Sequence, residues 1–237
     1  MRRHETSSLL ADPEIRSSSD PWSSAWTAAG VIEVLEPLVG ERRRARLQGV
    51  IASRLGSVTV LMDAPHDPHN GAAVMRSCDA FGLPELHVVP RDEPFLAGRT
   101  VAKGTQHWVD VVIHPTPANA IGSLRARGFE LVTTHPQGEL VPEDLRGVER
   151  LALVLGNEHD GIRHEIMQAS SRSVRIPMRG FVESLNVSVA AALLLRAATE
   201  GRPGDLSAAE RERLYARGLL LSLPKGPQIL AATERPR

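Results

Sequence analysis

Residues 58–90 read VTVLMDAPHDPHNGAAVMRSCDAFGLPELHVVP, and their order decides the fold class. Val58–Met62 is a run of β-branched and aliphatic residues, which predicts a buried strand. Asn70–Gly82 has apolar residues at helical spacing and ends on a glycine suited to a helix C-cap. Leu86–Val89 is a second apolar strand, stopped by Pro90. Strand, helix and strand in about thirty residues make a parallel crossover unit.

The alternation continues downstream. VDVVI (109–113) and FELVTT (129–134) flank a helix, TPANAIGSLRARG (116–128), with Pro117 in its first turn and Gly128 after it. LALVL (151–155) and SVRI (173–176) are further strands, with a helix over 162–169 between them. A long apolar helix is expected over 184–199. Nearly continuous apolar strands alternating with helices predict an α/β fold, a mostly parallel sheet with helices on both faces. No internal repeat is visible.

Lys plus Arg balances Asp plus Glu, 28 against 28, so any case for nucleic acid must rest on how the charge is distributed. Aromatics are 3%, so Leu, Val, Ile and Ala must build the core. Cys78 is the single cysteine, which excludes an intrachain disulfide and fits a reducing compartment. The start, MRRHETSSLLADP, has no apolar signal region, and no apolar run is long enough for a bilayer. A cytoplasmic protein without a membrane partner is expected.

Residues 1–25 are Ser-, Arg- and Asp-rich and are expected to be disordered. Residues 26–56 form an Arg-rich helical extension that Gly40 divides, with Val31, Ile32, Leu35, Leu38, Leu47, Val50 and Ile51 as apolar anchors. Its second half, ERRRARLQGVIASR, carries Arg42, Arg43, Arg44, Arg46 and Arg54. Such a run is either a solvated helix face or an arm for backbone phosphates. Residues 57–200 hold the sheet. Residues 201–237 open with a Gly/Pro linker, then an amphipathic helix over 206–223, then a trailing tail, PKGPQILAATERPR. Leu214, Leu219, Leu220, Leu221 and Leu223 need a partner in this domain or in another subunit.

In parallel sheets ligands bind beyond the carboxyl ends of the strands. Three such ends carry unusual residues. In MDAPHDPHNGAAVMR, Asn70 is placed as a helix N-cap, and Arg76 lies six residues on, able to reach back but not to stack over it. In LVLGNEHDGIR, Gly156 and Gly161 bracket a polar cluster and let backbone N–H groups face a ligand. In IPMRGFVESLNVSVAAALLLRAA, a polar hinge precedes the long helix, and Ser184 can cap it. A capped helix, a tight turn and a surface arginine would explain each stretch alone.

Several chemistries are excluded. No G-x-G-x-x-G follows a strand, and no phosphate-binding G-x-x-x-x-G-K-[ST] loop or G-x-S-x-G elbow exists. His66 and His69 have no evident third ligand, so no metal is expected. Cys78 sits in an apolar helix and reads as a buried structural thiol.

Taken together, HNGAAVMRSCDAFG, LVLGNEHDGIR and IPMRGFVESLNVSVAAAL resemble the three motifs of the SpoU/TrmH branch of the SPOUT superfamily. GTQHWVDVVIHP (104–115) resembles a segment typical of its tRNA guanosine-2′-O-methyltransferases. The resemblance spans about residues 47–200. It implies S-adenosylmethionine as cofactor, a homodimer, a tRNA substrate rather than DNA, and a C-terminal deep trefoil knot in the α/β fold. It implies that Thr134, Gly156, Glu158, Ile176 and Leu185 line the cofactor pocket. It assigns catalysis to Asn70, Arg76, Ser184 and Asn186, with Arg76 either a general base or a cationic stabiliser. It favours Arg42, Arg43, Arg44 and Arg46 as RNA contacts. The implied reaction is 2′-O-methylation of the D-loop guanosine (Gm18). Another tRNA position, rRNA, or a non-catalytic RNA-binding role are the alternatives. Ala72 stands where many relatives have Ser, and His159-Asp160 replace a commoner Lys-containing pair.

Overall fold

The computed structural model describes residues 15–16, 20–90, 104–157 and 159–233. Its centre is a strand–helix–strand crossover: β2 (Val58–Asp63), α3 (Pro68–Ala80) and β3 (Glu85–Val89). Before it come β1 (Ile15–Arg16), α1 (Ala28–Leu35) and α2 (Glu41–Ala52). After it come β4 (Asp110–Ile113), α4 (Pro117–Ala126), β5 (Glu130–Thr134), β6 (Leu151–Leu155), α5 (His164–Ala169) and β7 (Arg172–Val174). The chain ends in α6 (Val187–Thr199), α7 (Ala208–Ser222) and α8 (Gly226–Ala232).

The strands lie in the order β1-β4-β3-β2-β6-β5-β7. β2 to β7 pair in parallel, and only the two-residue β1 runs antiparallel, on the β4 edge. Every residue of β2 and β6 is buried, as strands covered on both faces require. One face packs under α3 and α6, through Val74, Met75, Leu194 and Leu195. The other packs under α4 and α5, through Leu124 and Ile166. Strand order reverses between β2 and β6, which places a ligand crevice beyond their carboxyl ends.

Three expectations change, and a fourth gains detail. Within residues 1–25, expected to be mostly disordered, Ile15–Arg16 pairs with Val112 and Ile113. Most of the remainder of that stretch lies outside the described residues. Leu38 and Val50, expected as apolar anchors, are 53% and 51% exposed. The tail is not trailing coil: it forms α8, with Pro227 in the first turn, where its missing N–H costs nothing. Arg54 is no solvated cation. It is buried, with guanidinium N–H groups on Asp79 at 2.8 Å, the Leu83 carbonyl at 2.6 Å and the Trp108 carbonyl at 2.7 Å.

Three leucines of α7 find their partner within the chain, while Leu221 stays exposed. Leu214, Leu219 and Leu220 bury against Val31, Leu35 and Leu47 of α1 and α2. Charge ties this helical layer to the sheet. Buried Arg217 donates to Asp110 at 2.8 Å, and Asp205 accepts from the Ser57 amide at 3.3 Å. Cys78 is fully buried, and burial pushes its thiol up to about 12, so it is inert packing. No helix among the described residues is long and apolar enough to cross a membrane.

Candidate active site

The loop after β2 starts the site. Asp67 caps α3, accepting from the His69 amide at 2.8 Å, and Pro68 takes the first helical position. Asn70 is therefore not the cap. It sits in the first turn, because Asp ahead of Pro already satisfies the helix start. The relocation changes what Asn70 can do: its side chain faces a second helix. Asn186 Nδ2 donates to Asn70 Oδ1 at 3.0 Å.

Asn186 is also the cap of α6. Its Oδ1 accepts from the Ser188 amide at 2.9 Å and from the Ser188 hydroxyl at 2.6 Å. Ser184, expected as that cap, lies in the hinge before it, since the first helical residue is Val187. One side chain thus closes the start of α6 and orients a residue at the start of α3. The N-termini of the two helices thus meet at one point.

The loop after β6 is shaped by backbone contact. A Cβ on Gly156 would stand 2.4 Å from the Gly161 carbonyl carbon. Glycine is required there by the loop itself rather than by a ligand. Asn157 Oδ1 accepts from the amides of His159 at 2.8 Å and Asp160 at 2.7 Å, which folds the loop back on itself. Glu158 lies outside the described residues. Arg163 anchors the loop's far end. Its backbone N–H and its Nε each donate to buried Asp63 at 2.7 Å. Asp63 ends β2, and Ala64 after it has φ of 50°, a left-handed conformation that turns the chain sharply. The His66 and His159 rings meet edge-on, centroids 5.6 Å apart, across the same gap. The Asp63–Arg163 tie spans 100 residues and no local pattern announces it.

The hinge and these loops enclose a cleft of about 460 Å3. Thr134, Gly156, Ile176, Leu185, Ser184 and Asn186 all line it. So do His135, Asn157 and Glu183, which the sequence does not single out. Thr134 donates its hydroxyl to the Val154 carbonyl at 3.2 Å, fixing the rim of β5 against β6. Asn70 stands at the rim through Asn186. Arg76 is not brought into the cleft: it is exposed on α3, about 9 Å along the helix axis from Asn70. Among the described residues no cluster of His, Cys, Asp or Glu could hold a metal.

The model described as the SpoU rRNA Methylase family matches residues 57–196. The chain belongs to this family. It is 34% identical, over 74% of its length and 81% of the relative, to the tRNA (guanosine(18)-2′-O)-methyltransferase of Escherichia coli K12. The crystal structure of the Aquifex aeolicus TrmH/SpoU tRNA modifying enzyme superposes with TM-score 0.63 and 29% identity, over 76% of this chain and 95% of that one. The SpoU methyltransferase AviRb of Streptomyces viridochromogenes, solved in complex with AdoMet, superposes with TM-score 0.55 and 27% identity, over 62% of this chain and 60% of that one.

The arginines of α2 do not form one face. Arg42, Arg43 and Arg46 are exposed, while Arg44 is half-buried. Arg43 Nε donates to the Ser222 hydroxyl of α7 at 2.9 Å. Four arginines in six residues must spread round a helix that turns about 100° per residue, so the cluster cannot act as a single flat patch.

Proposed function

We infer that this chain is an S-adenosylmethionine-dependent 2′-O-methyltransferase acting on tRNA, at the ribose of guanosine 18. The observation that carries the reading is the Asn186–Asn70 hydrogen bond at 3.0 Å. It couples the cleft lined by the hinge to the helix bearing the catalytic motif, in a chain whose relatives carry that activity.

The cleft fits the cofactor. Its volume is in the usual range for small-ligand sites, and two backbone loops and a helix start supply polar groups among apolar side chains. Thr134, Gly156, Ile176 and Leu185 are its binding residues, joined by Glu158. S-adenosylmethionine supplies a methyl already activated by its sulfonium. The protein therefore has to position the ribose hydroxyl and stabilise charge on the 2′-oxygen as its proton passes to solvent water. Asn70, held by Asn186, aligns the hydroxyl. Arg76 is an exposed guanidinium, and arginine keeps its proton. Its planar fork holds the adjacent RNA phosphate and faces the negative 2′-oxygen. Ser184 contacts the substrate from the hinge.

Two structural elements complete the proposal. The chain from β6 to α6 threads a deep trefoil knot. In support, Val174 passes so close to Gly138 that a Cβ there would stand 2.6 Å from its carbonyl carbon. The second is a homodimer. Val189 and Leu193, one turn apart on α6, are each 47% exposed, and Phe181 and Val182 of the hinge are exposed too. A second copy covers this apolar face. A tRNA substrate places the protein in the cytoplasm. The test is incubation with labelled S-adenosylmethionine and an unmodified tRNA transcript, followed by digestion. The expected product is 2′-O-methylguanosine; label on a base, or on rRNA alone, refutes the reading.

A further inference from the structure

A second cavity, of about 260 Å3, lies between α2, α3 and α7, away from the cleft. Leu47, Ile51 and Leu214 give it apolar walls, and Trp108 lines one side. Arg43 and Arg46 stand at its edge, both exposed, with half-exposed Val50 one turn beyond Arg46. Asp79 and Arg54 complete the lining. Arg54 is 3% exposed, and among the described residues its Nε has no hydrogen-bond acceptor. That N–H is closed to solvent, so recognition inside the cavity falls to Asp79 and Trp108.

We propose that this cavity holds one unstacked guanosine of the tRNA, at a point distinct from the methylated ribose. The proposal rests on the tRNA reading above. An indole beside aliphatic walls is a stacking surface for a base. The Asp79 carboxylate repels phosphate, so the phosphates stay on Arg43 and Arg46 and the base enters. One Asp79 oxygen is held by Arg54 at 2.8 Å, leaving the other for base N–H donors. Guanine presents two such donors side by side on one edge, its ring N–H and its exocyclic amine, which suits a carboxylate acceptor. Asp79 is nine residues beyond Asn70, about 13 Å along α3. The bound base and the attacked ribose sit towards opposite ends of that helix, with the strand running along it.

The test uses the full-length protein and tRNA transcripts carrying 6-thioguanosine or 4-thiouridine, irradiated, digested and mapped by mass spectrometry. The expected crosslink joins thioguanosine to the peptide holding Trp108 or Asp79. Crosslinks to these peptides from thiouridine alone overturn the guanine assignment, and crosslinks only elsewhere overturn the site. Trp108→Leu removes the stacking ring, and Val50→Asp sets a negative charge at the exposed mouth without touching the core. Each should raise the KM for tRNA roughly tenfold with cofactor affinity unchanged, and Val50→Asp, at an exposed position, should also keep the parent's thermal midpoint. Parent-like KM in both, with methylation intact, overturns the subsite. Absence of methylation by the parent protein refutes the tRNA reading instead.

Discussion

At the cleft, loops are set by backbone lying against backbone. In the helical layer of α1, α2, α7 and α8, position is set by side chains. Gly156 touches Gly161 so closely that no Cβ fits, and Asn157 folds the same loop through two amides. The layer instead uses buried leucines and charge pairs such as Arg217 with Asp110, while Arg42, Arg43 and Arg46 face solvent. These two ways of holding a chain tolerate change differently. The cleft has no slack, so substitutions there should act as switches. The layer's outer arginines lie outside its apolar core, so substitutions there should act by degrees, mainly through RNA.

Four substitutions probe that contrast. Arg76→Ala should lower kcat by at least about a hundredfold, the range for losing a group that stabilises transition-state charge. Circular dichroism and cofactor affinity should match the parent, because Arg76 is exposed on α3. Turnover near the parent's would remove Arg76 from the chemistry.

Gly156→Val comes next. The added side chain meets Gly161 and Ile162 within the loop, so cofactor affinity should fall at least roughly tenfold through displacement of the loop. Calorimetry giving parent-like affinity would contradict a backbone-built cleft.

The third substitution separates the two faces of α6. Leu193→Glu changes a half-exposed residue and should split the proposed dimer while leaving the fold, read by sedimentation and thermal melting. Ala191 is fully buried in this chain, so a charge there would break the core and say nothing about association. An associated Leu193→Glu protein would place the interface elsewhere.

The smallest effect belongs to the layer. Replacing Arg42, Arg43, Arg44 and Arg46 with Gln should reduce the salt dependence of tRNA binding, by a slope of roughly 0.7–0.9 for each phosphate no longer neutralised. Cofactor affinity should not move. Half-buried Arg44 and Arg43, bonded to Ser222, should contribute less than Arg42 and Arg46. Parallel salt titrations for variant and parent would make α2 a solvated face.

Much of this is legible in the sequence because it is local. The β2–α3–β3 crossover announces itself through continuous apolar strands and a glycine-ended helix, and the strands stand within a residue or two of their apolar runs. Thr134, Gly156, Ile176 and Leu185, which the sequence singles out, line one cleft. The misreadings are competitions between neighbours. Asp67 displaces Asn70 as a cap because Pro68 follows it, and Asn186 displaces Ser184 because the helix begins only at Val187. What the sequence hides is long-range. The Asp63–Arg163 tie, the Asn70–Asn186 bond and the burial of Arg54 join residues far apart in the chain. Hydrophobic periodicity carries no signal for polar partners of that kind.

A single-atom replacement separates the proposed chemistry from mere RNA binding. A tRNA transcript carrying 2′-deoxyguanosine at position 18 lacks only the hydroxyl that the Asn70–Asn186 pair and Arg76 are proposed to serve. It should still bind, because the phosphates and the neighbouring bases are intact. With labelled S-adenosylmethionine, no incorporation is predicted into this tRNA and full incorporation into its ribose counterpart. Equal labelling of the two would contradict ribose methylation at guanosine 18.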